Sequence, residues 1–127
     1  MINKFIKSLI LVFCGLFFMP LAQAEWVDIS PSVEITQSTR AFDRVNRVLF
    51  SYVTVKNKSQ QPIIGPFRLN ISNNTIDLSK SDGEDEDGNE FIWLKEDEIG
   101  PGQTVSTRID FLMQRKVLQF DVLLETI

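Results

Sequence analysis

From Val33 to Leu124, apolar and polar side chains alternate at period two in one short run after another, and no stretch carries the three-to-four spacing of an amphipathic helix. Val33-Glu34-Ile35-Thr36-Gln37 is the first run. Val48 to Val55 follows, dense in β-branched and aromatic residues, until Asn57-Lys58-Ser59-Gln60 stops it. Phe67, Leu69 and Ile71 then enclose Arg68 and Asn70, and Val105, Thr107, Ile109 and Phe111 enclose Ser106, Arg108 and Asp110. Leu118, Phe120, Val122 and Leu124 close the series. With shorter candidates at Thr75 to Leu78 and Glu90 to Leu94, the pattern predicts about seven strands, and Trp26 to Ile29 is a candidate edge strand. Gly65-Pro66 and Gly100-Pro101-Gly102 supply turns ahead of two of them. A strand with one apolar face needs a second sheet to cover it, so the expectation is all-β: a single antiparallel β-sandwich. Its inner face should hold Val53, Phe67, Leu69, Ile109, Phe111, Phe120 and Val122.

Residues 1–24 stand apart from that pattern. Lys4 and Lys7 precede an apolar run from Leu9 to Met19, Pro20 breaks it, and Ala22-Gln23-Ala24 has the small-x-small form that signal peptidase reads. The run is 11 residues long, whereas a bilayer span takes about 20. The segment therefore reads as a cleaved signal peptide, with no stable membrane span afterwards and a β-sandwich domain over 25–127. The bulky Phe13 before Cys14 argues against lipoprotein processing. The expected location is the periplasm or beyond.

Removing 1–24 removes two lysines and the only cysteine of the 127-residue chain, which has no histidine at all. Eleven basic against seventeen acidic side chains then leave a charge of −6. Without histidine or cysteine, Ser-His-Asp and Cys-His nucleophilic sites, thiol redox chemistry and ordinary zinc sites are excluded. The negative charge and the exported location argue against nucleic acid as a partner. A domain of this size without disulfides is held by core burial alone.

Several turn and strand words occur in a recognisable order. They are Asp28-Ile29-Ser30, Val33-Glu34-Ile35-Thr36, Phe42-Asp43-Arg44 and Val53-Thr54-Val55-Lys56-Asn57-Lys58-Ser59. Then come Ile64-Gly65-Pro66-Phe67-Arg68-Leu69, Asp87-Gly88-Asn89-Glu90-Phe91-Ile92 and Ile99-Gly100-Pro101-Gly102-Gln103-Thr104-Val105. The ordered set resembles the exported immunoglobulin-like or fibronectin-III-like sandwich modules of bacteria, over nearly all of 25–127. That resemblance implies a non-catalytic spacer or adhesion unit with no stated ligand. It does not account for the acidic insertion.

That insertion is the sharpest local feature. Residues 77–98 hold ten acidic side chains and two lysines, a net −8, and Asp82 to Glu90 contains six carboxylates and no base. An Asp/Gly/Asn-rich loop suits calcium, which takes six to eight oxygen ligands at about 2.3–2.6 Å, and Asp82, Asp85 and Asp87 are the candidate ligands. An EF-hand is excluded, because its first position falls on Gly83 and its twelfth on Leu94. A glycosidase pair is disfavoured, since nothing raises one carboxyl's pKa for the acid role. Mutual repulsion predicts an extended, mobile loop aimed at a cationic target.

Among the aromatics, Tyr52 and Trp93 sit in apolar strands and read as core, while Trp26 is the better exposed candidate for stacking on a sugar. Arg40, Arg44 and Arg47 read as a solvated hairpin tip with Asp43 as a nearby partner. The reading that follows is an exported, non-enzymatic interaction or structural module that presents its acidic loop to a protein, envelope or matrix partner. The alternative is a small-ligand binder, holding calcium at that loop or a glycan at exposed aromatics.

Overall fold

The computed structural model describes residues 25–127, so the signal-peptide expectation lies outside the described residues. The chain is all-β and antiparallel. Its strands are β1 (Val27–Asp28), β2 (Val33–Gln37), β3 (Ala41–Asp43), β4 (Val48–Asn57), β5 (Ile63–Ile64), β6 (Phe67–Ser72), β7 (Gly83–Glu84), β8 (Glu90–Trp93), β9 (Glu98–Ile99), β10 (Thr104–Phe111) and β11 (Asp121–Thr126). One sheet runs β1-β11-β6-β8-β7 and another β10-β4-β2, with β3 also paired to β4; β5 and β9 form a short ribbon. Among the described residues these are eleven strands against an expectation of about seven, because five of them are only two or three residues long.

The edge strand expected near Trp26 is present as β1, on the outer side of β11. Thr75 to Leu78 is not a strand. Asn73 takes a left-handed conformation (φ 51°), and the segment then joins its neighbours through separate hydrogen bonds instead of a continuous ladder: the Thr75 N–H donates to the Gln119 carbonyl and the Ser79 N–H to that of Asp110. Thr75 Oγ1 donates to the Val117 carbonyl at 2.7 Å, and Leu78 forms a single bridge to Phe111.

Alternation puts one row of each long strand into a common core. Val53 and Val55 of β4, Ile109 and Phe111 of β10, Phe67 and Leu69 of β6, and Leu124 of β11 are all completely buried. Residues of both main sheets thus join one hydrophobic cluster, the layout a β-sandwich needs. Six of the seven predicted inner residues are buried, and Val122 packs against the cluster half-buried. The Asn57 stop is built as its chemistry requires. Its buried amide donates to the carbonyls of Gln61 (2.8 Å) and Ile99 (2.9 Å), and its oxygen accepts from the backbone and hydroxyl of Ser59.

Tyr52 and Trp93, expected in the core, are instead exposed by 45% and 42%. Tyr52 alternates with the buried Ser51 and Val53, and Trp93 pairs with Arg68, so both stand on outer faces. Conversely, Trp26 is only half exposed.

At the tip of the β3–β4 hairpin, Asp43 does not pair with its neighbouring arginines. It accepts a hydrogen bond from Arg108 Nη2 at 2.7 Å and caps the N–H groups of Val45 and Asn46. Arg108 also binds Asp110 (2.6 Å) and lies 4.0 Å above the Phe50 ring. The Arg108 hydrogen bond, followed by those from Asn46, holds the Asp43 carboxyl well below the usual carboxylate range. A carboxyl with a depressed folded pKa stabilises the fold above its unfolded pKa, about 3.9, and that stability is lost as pH falls below it. Arg108→Gln is therefore expected to flatten the acid limb of a melting-temperature profile below about pH 4. An unchanged acid limb would remove this pair from the account.

Candidate functional site

Strand β6 is buried on both faces, which is unusual for an alternating strand on an outer sheet. Phe67, Leu69 and Ile71 face the core; Arg68 and Asn70 face outwards yet are only 4% and 5% exposed. What covers them is the acidic segment. Residues 82–93 form a hairpin in which β7 pairs with β8, and its turn folds back over the outer face of β6. The loop expected to be extended is a tight turn.

Two aspartates shape it. Asp82 Oδ2 accepts the Trp93 N–H at 2.8 Å. Asp85 Oδ1 accepts the N–H groups of Asp87 (2.9 Å) and Asn89 (2.8 Å), an Asx turn closed by Gly88 at φ 84°. Gly83 is required by proximity, since a β-carbon there would lie 2.8 Å from the Phe91 ring. Local hydrogen bonds thus do what repulsion would otherwise oppose.

The turn is then fastened to the sheet. Asn70 Nδ2 donates to Asp85 Oδ2 and to Glu125 Oε1, each at 2.7 Å, while its own Oδ1 is buried without a partner. Asn70 therefore serves through its donors. Arg68 bonds Glu125 through Nε at 2.8 Å and Glu86 through Nη2 at 3.1 Å. Its guanidinium lies 4.2 Å from the Trp26 ring centre and 5.2 Å from that of Phe91. Burial disfavours the charged form of Arg68, but the hydrogen bonds to Glu125 and Glu86 outweigh it, and the guanidinium titrates above its ordinary range.

Of the three candidate calcium ligands, Asp82 and Asp85 are committed to backbone and Asn70 donors, and Asp87 stands at the exposed tip. The structure does not bring them together, and among the described residues no group of three or more acidic side chains is gathered for a metal ion. Trp26 and Trp93 are adjacent, their ring centres 5.5 Å apart, so one face of the half-buried Trp26 is taken by Arg68. Tyr52 stands on the other sheet, edge-on to Phe50 at 5.7 Å.

Asp85→Ala should cost about 1 kcal/mol, the usual net worth of a hydrogen bond, since it removes those from Asp87, Asn89 and Asn70, and should expose amides 83–91 to hydrogen exchange. Unchanged protection across the hairpin would show that the turn does not depend on Asp85.

Sequence reasoning placed Arg68 and Asn70 between the apolar residues of their strand but gave neither them nor Glu125 a role in the site. A lone arginine in the polar row of an alternating strand, followed by the acidic run 77–98, was the available signal. A scan against protein-family models finds no match to this chain, and no curated relative matches it.

Proposed function

We propose that this chain is an exported, non-enzymatic β-sandwich module, of the immunoglobulin-like or fibronectin-III-like kind that its turn words resemble, which presents a rigid acidic hairpin to a cationic partner in the cell envelope or matrix. The observation that carries the reading is the anchor. Buried Arg68 and Asn70 fix the turn from below, so the exposed Glu84 and Asp87 and the partly exposed Glu90 stand on a preformed surface without a salt-bridge partner among the described residues. Rigid presentation lowers the ordering cost of binding, and clustered charge steers an oppositely charged partner. The leader-like segment 1–24 and the absence of histidine support export and a non-enzymatic role.

The test is capture from envelope extract on immobilised protein, with wild type beside Glu84→Gln/Asp87→Asn/Glu90→Gln. Capture should fall as salt rises past about 0.15 M, where screening reaches about 8 Å, and the neutralised variant should capture nothing specific. Equal capture by both proteins at all salt concentrations would overturn the reading. The Trp26–Trp93 pair supports a second reading, a glycan held at the exposed Trp93. Titration with cell-wall oligosaccharides should then shift tryptophan fluorescence, and a flat titration would remove it.

A further inference from the structure

The 112–118 connection, which leaves β10 and leads to β11, separates two clefts of opposite character. On one side lies an open groove of about 490 Å³ lined by Arg40, Phe42, Met113, Arg115, Lys116 and Val117, with no acidic residue in its wall. On the other lies a cleft of about 460 Å³ whose charged residues are Asp77, Glu84 and Glu90, with no basic residue in its wall. Leu112 lines the acidic cleft and Met113 the basic groove, so the two meet at this dipeptide. The Leu112 N–H donates to the Asp77 carbonyl at 2.9 Å and the Arg40 guanidinium to the Lys116 carbonyl at 2.6 Å, which ties each charged flank to the same connection.

Two features make this end of the molecule incomplete. Among the described residues, none of Arg40, Arg115, Lys116, Asp77, Glu84 and Glu90 has an ion-pair partner within 4.0 Å. The apolar side chains here are exposed: Phe42 (46%), Met113 (46%) and Val117 (73%) in the basic groove, and Leu112 (42%) at its junction with the acidic cleft. An apolar centre with a charged rim is the anatomy of a protein–protein interface. The two clefts carry opposite charge, so a two-fold contact centred on Leu112–Met113 would set the acidic flank of one copy against the basic flank of the other, twice over. Isologous contacts require this property, and cyclic dimers are the commonest assemblies that use it.

We propose that a second copy of this chain docks here, forming a two-fold dimer with Leu112, Met113, Phe42 and Val117 at its centre and reciprocal Arg115/Lys116 to Glu84/Glu90 pairs at its rim. This deepens the proposed function by naming one partner of the acidic hairpin, and it rests on that hairpin being a binding surface.

The experiment is light scattering and sedimentation of the protein as its host processes it, over a range of concentrations and salt. Wild type should give twice the monomer mass, reverting towards monomer as salt rises. Arg115→Glu/Lys116→Glu and Glu84→Lys/Glu90→Lys should each weaken association by roughly a hundredfold or more, since each sets like charges against each other at both rims. All four side chains lie at the surface or partly so, and circular dichroism checks that each variant is folded. Mixing the two variants in equal amounts should restore a dimer, because acid then meets base at both rims. Leu112→Ser/Met113→Ser should abolish the dimer at any salt.

A wild type that stays monomeric at every concentration would overturn the proposal, as would growth beyond a pair or a mixture that fails to associate. Monomeric behaviour together with salt-sensitive capture of an envelope protein would end the dimer alone and leave the proposed function standing. A dimer that captures nothing specific would do the reverse.

Discussion

Arg68→Met is expected to destabilise the protein by about 3 kcal/mol, near the low end of the range for breaking a buried ion pair. The reason lies in the unequal exposure of its partners. Glu86 is 74% exposed and loses little when its cation disappears, as for any surface pair. Glu125 is only 13% exposed and keeps the Asn70 amide as its remaining donor, so its charge is left largely uncompensated. Methionine preserves much of the apolar volume between Trp26 and Phe91, which isolates the loss of charge from loss of packing. In a domain of this size each kcal/mol moves Tm by roughly 4–8 °C, so the fall should be roughly 10–25 °C. Arg68→Met/Glu125→Leu should recover part of the loss, since it removes both charges together. A single variant that melts like wild type would mean the pair contributes nothing to the fold. The same variant should also lose salt-sensitive capture at temperatures where it is still folded, because the acidic turn loses one of its two fasteners.

The second large effect is expected at Phe111, where alanine should cost about 3–5 kcal/mol. The ring is fully buried, its centre 5.0 Å from that of Phe120, in the cluster shared by the two main sheets. It stands at the end of β10, immediately before the Leu112–Met113 centre. Denaturant midpoints should fall sharply with the m-value unchanged, the mark of lost stability without a changed denatured state. Phe120→Ala should cost somewhat less, since that ring is 7% exposed. The double variant should cost less than the sum, because both substitutions open one cavity. Independent, additive losses would mean the two rings are not a packing unit.

Period two was the strongest signal in the chain, and it worked where only one face of a strand is apolar. Phe67, Leu69, Ile109 and Phe111 could be assigned inward because Arg68, Asn70, Arg108 and Asp110 alternate with them. In Val48 to Val55 it placed Val53 inward correctly but misplaced Tyr52, because Phe50 and Tyr52 are as apolar as Leu49 and Val53 and composition offers no way to choose the phase. Pairing chose it: β4 is central in its sheet, and the row holding Leu49, Ser51, Val53 and Val55 meets the core. The same ambiguity misplaced Trp93, which the register sets beside Arg68 on the outer face.

The acidic run shows the limit most clearly. Its composition, its glycines and its lack of bases are plain in the sequence, as are the leader-like segment and the absence of histidine. Repulsion among six carboxylates argued for an extended loop, an argument valid only for charges that meet nothing but water and each other. In the folded chain Asp82 and Asp85 meet backbone N–H groups, Asp85 meets Asn70, and Glu86 meets Arg68. Arg68 and Asn70 lie 14 and 12 residues before the start of the hairpin, and Glu125 lies beyond its far side. Alternation along single strands was a local property, so the all-β class and most of the core could be read from sequence. The anchored hairpin and the paired clefts at Leu112 and Met113 depend on strands distant in sequence becoming neighbours, a choice made only when the sheets assemble.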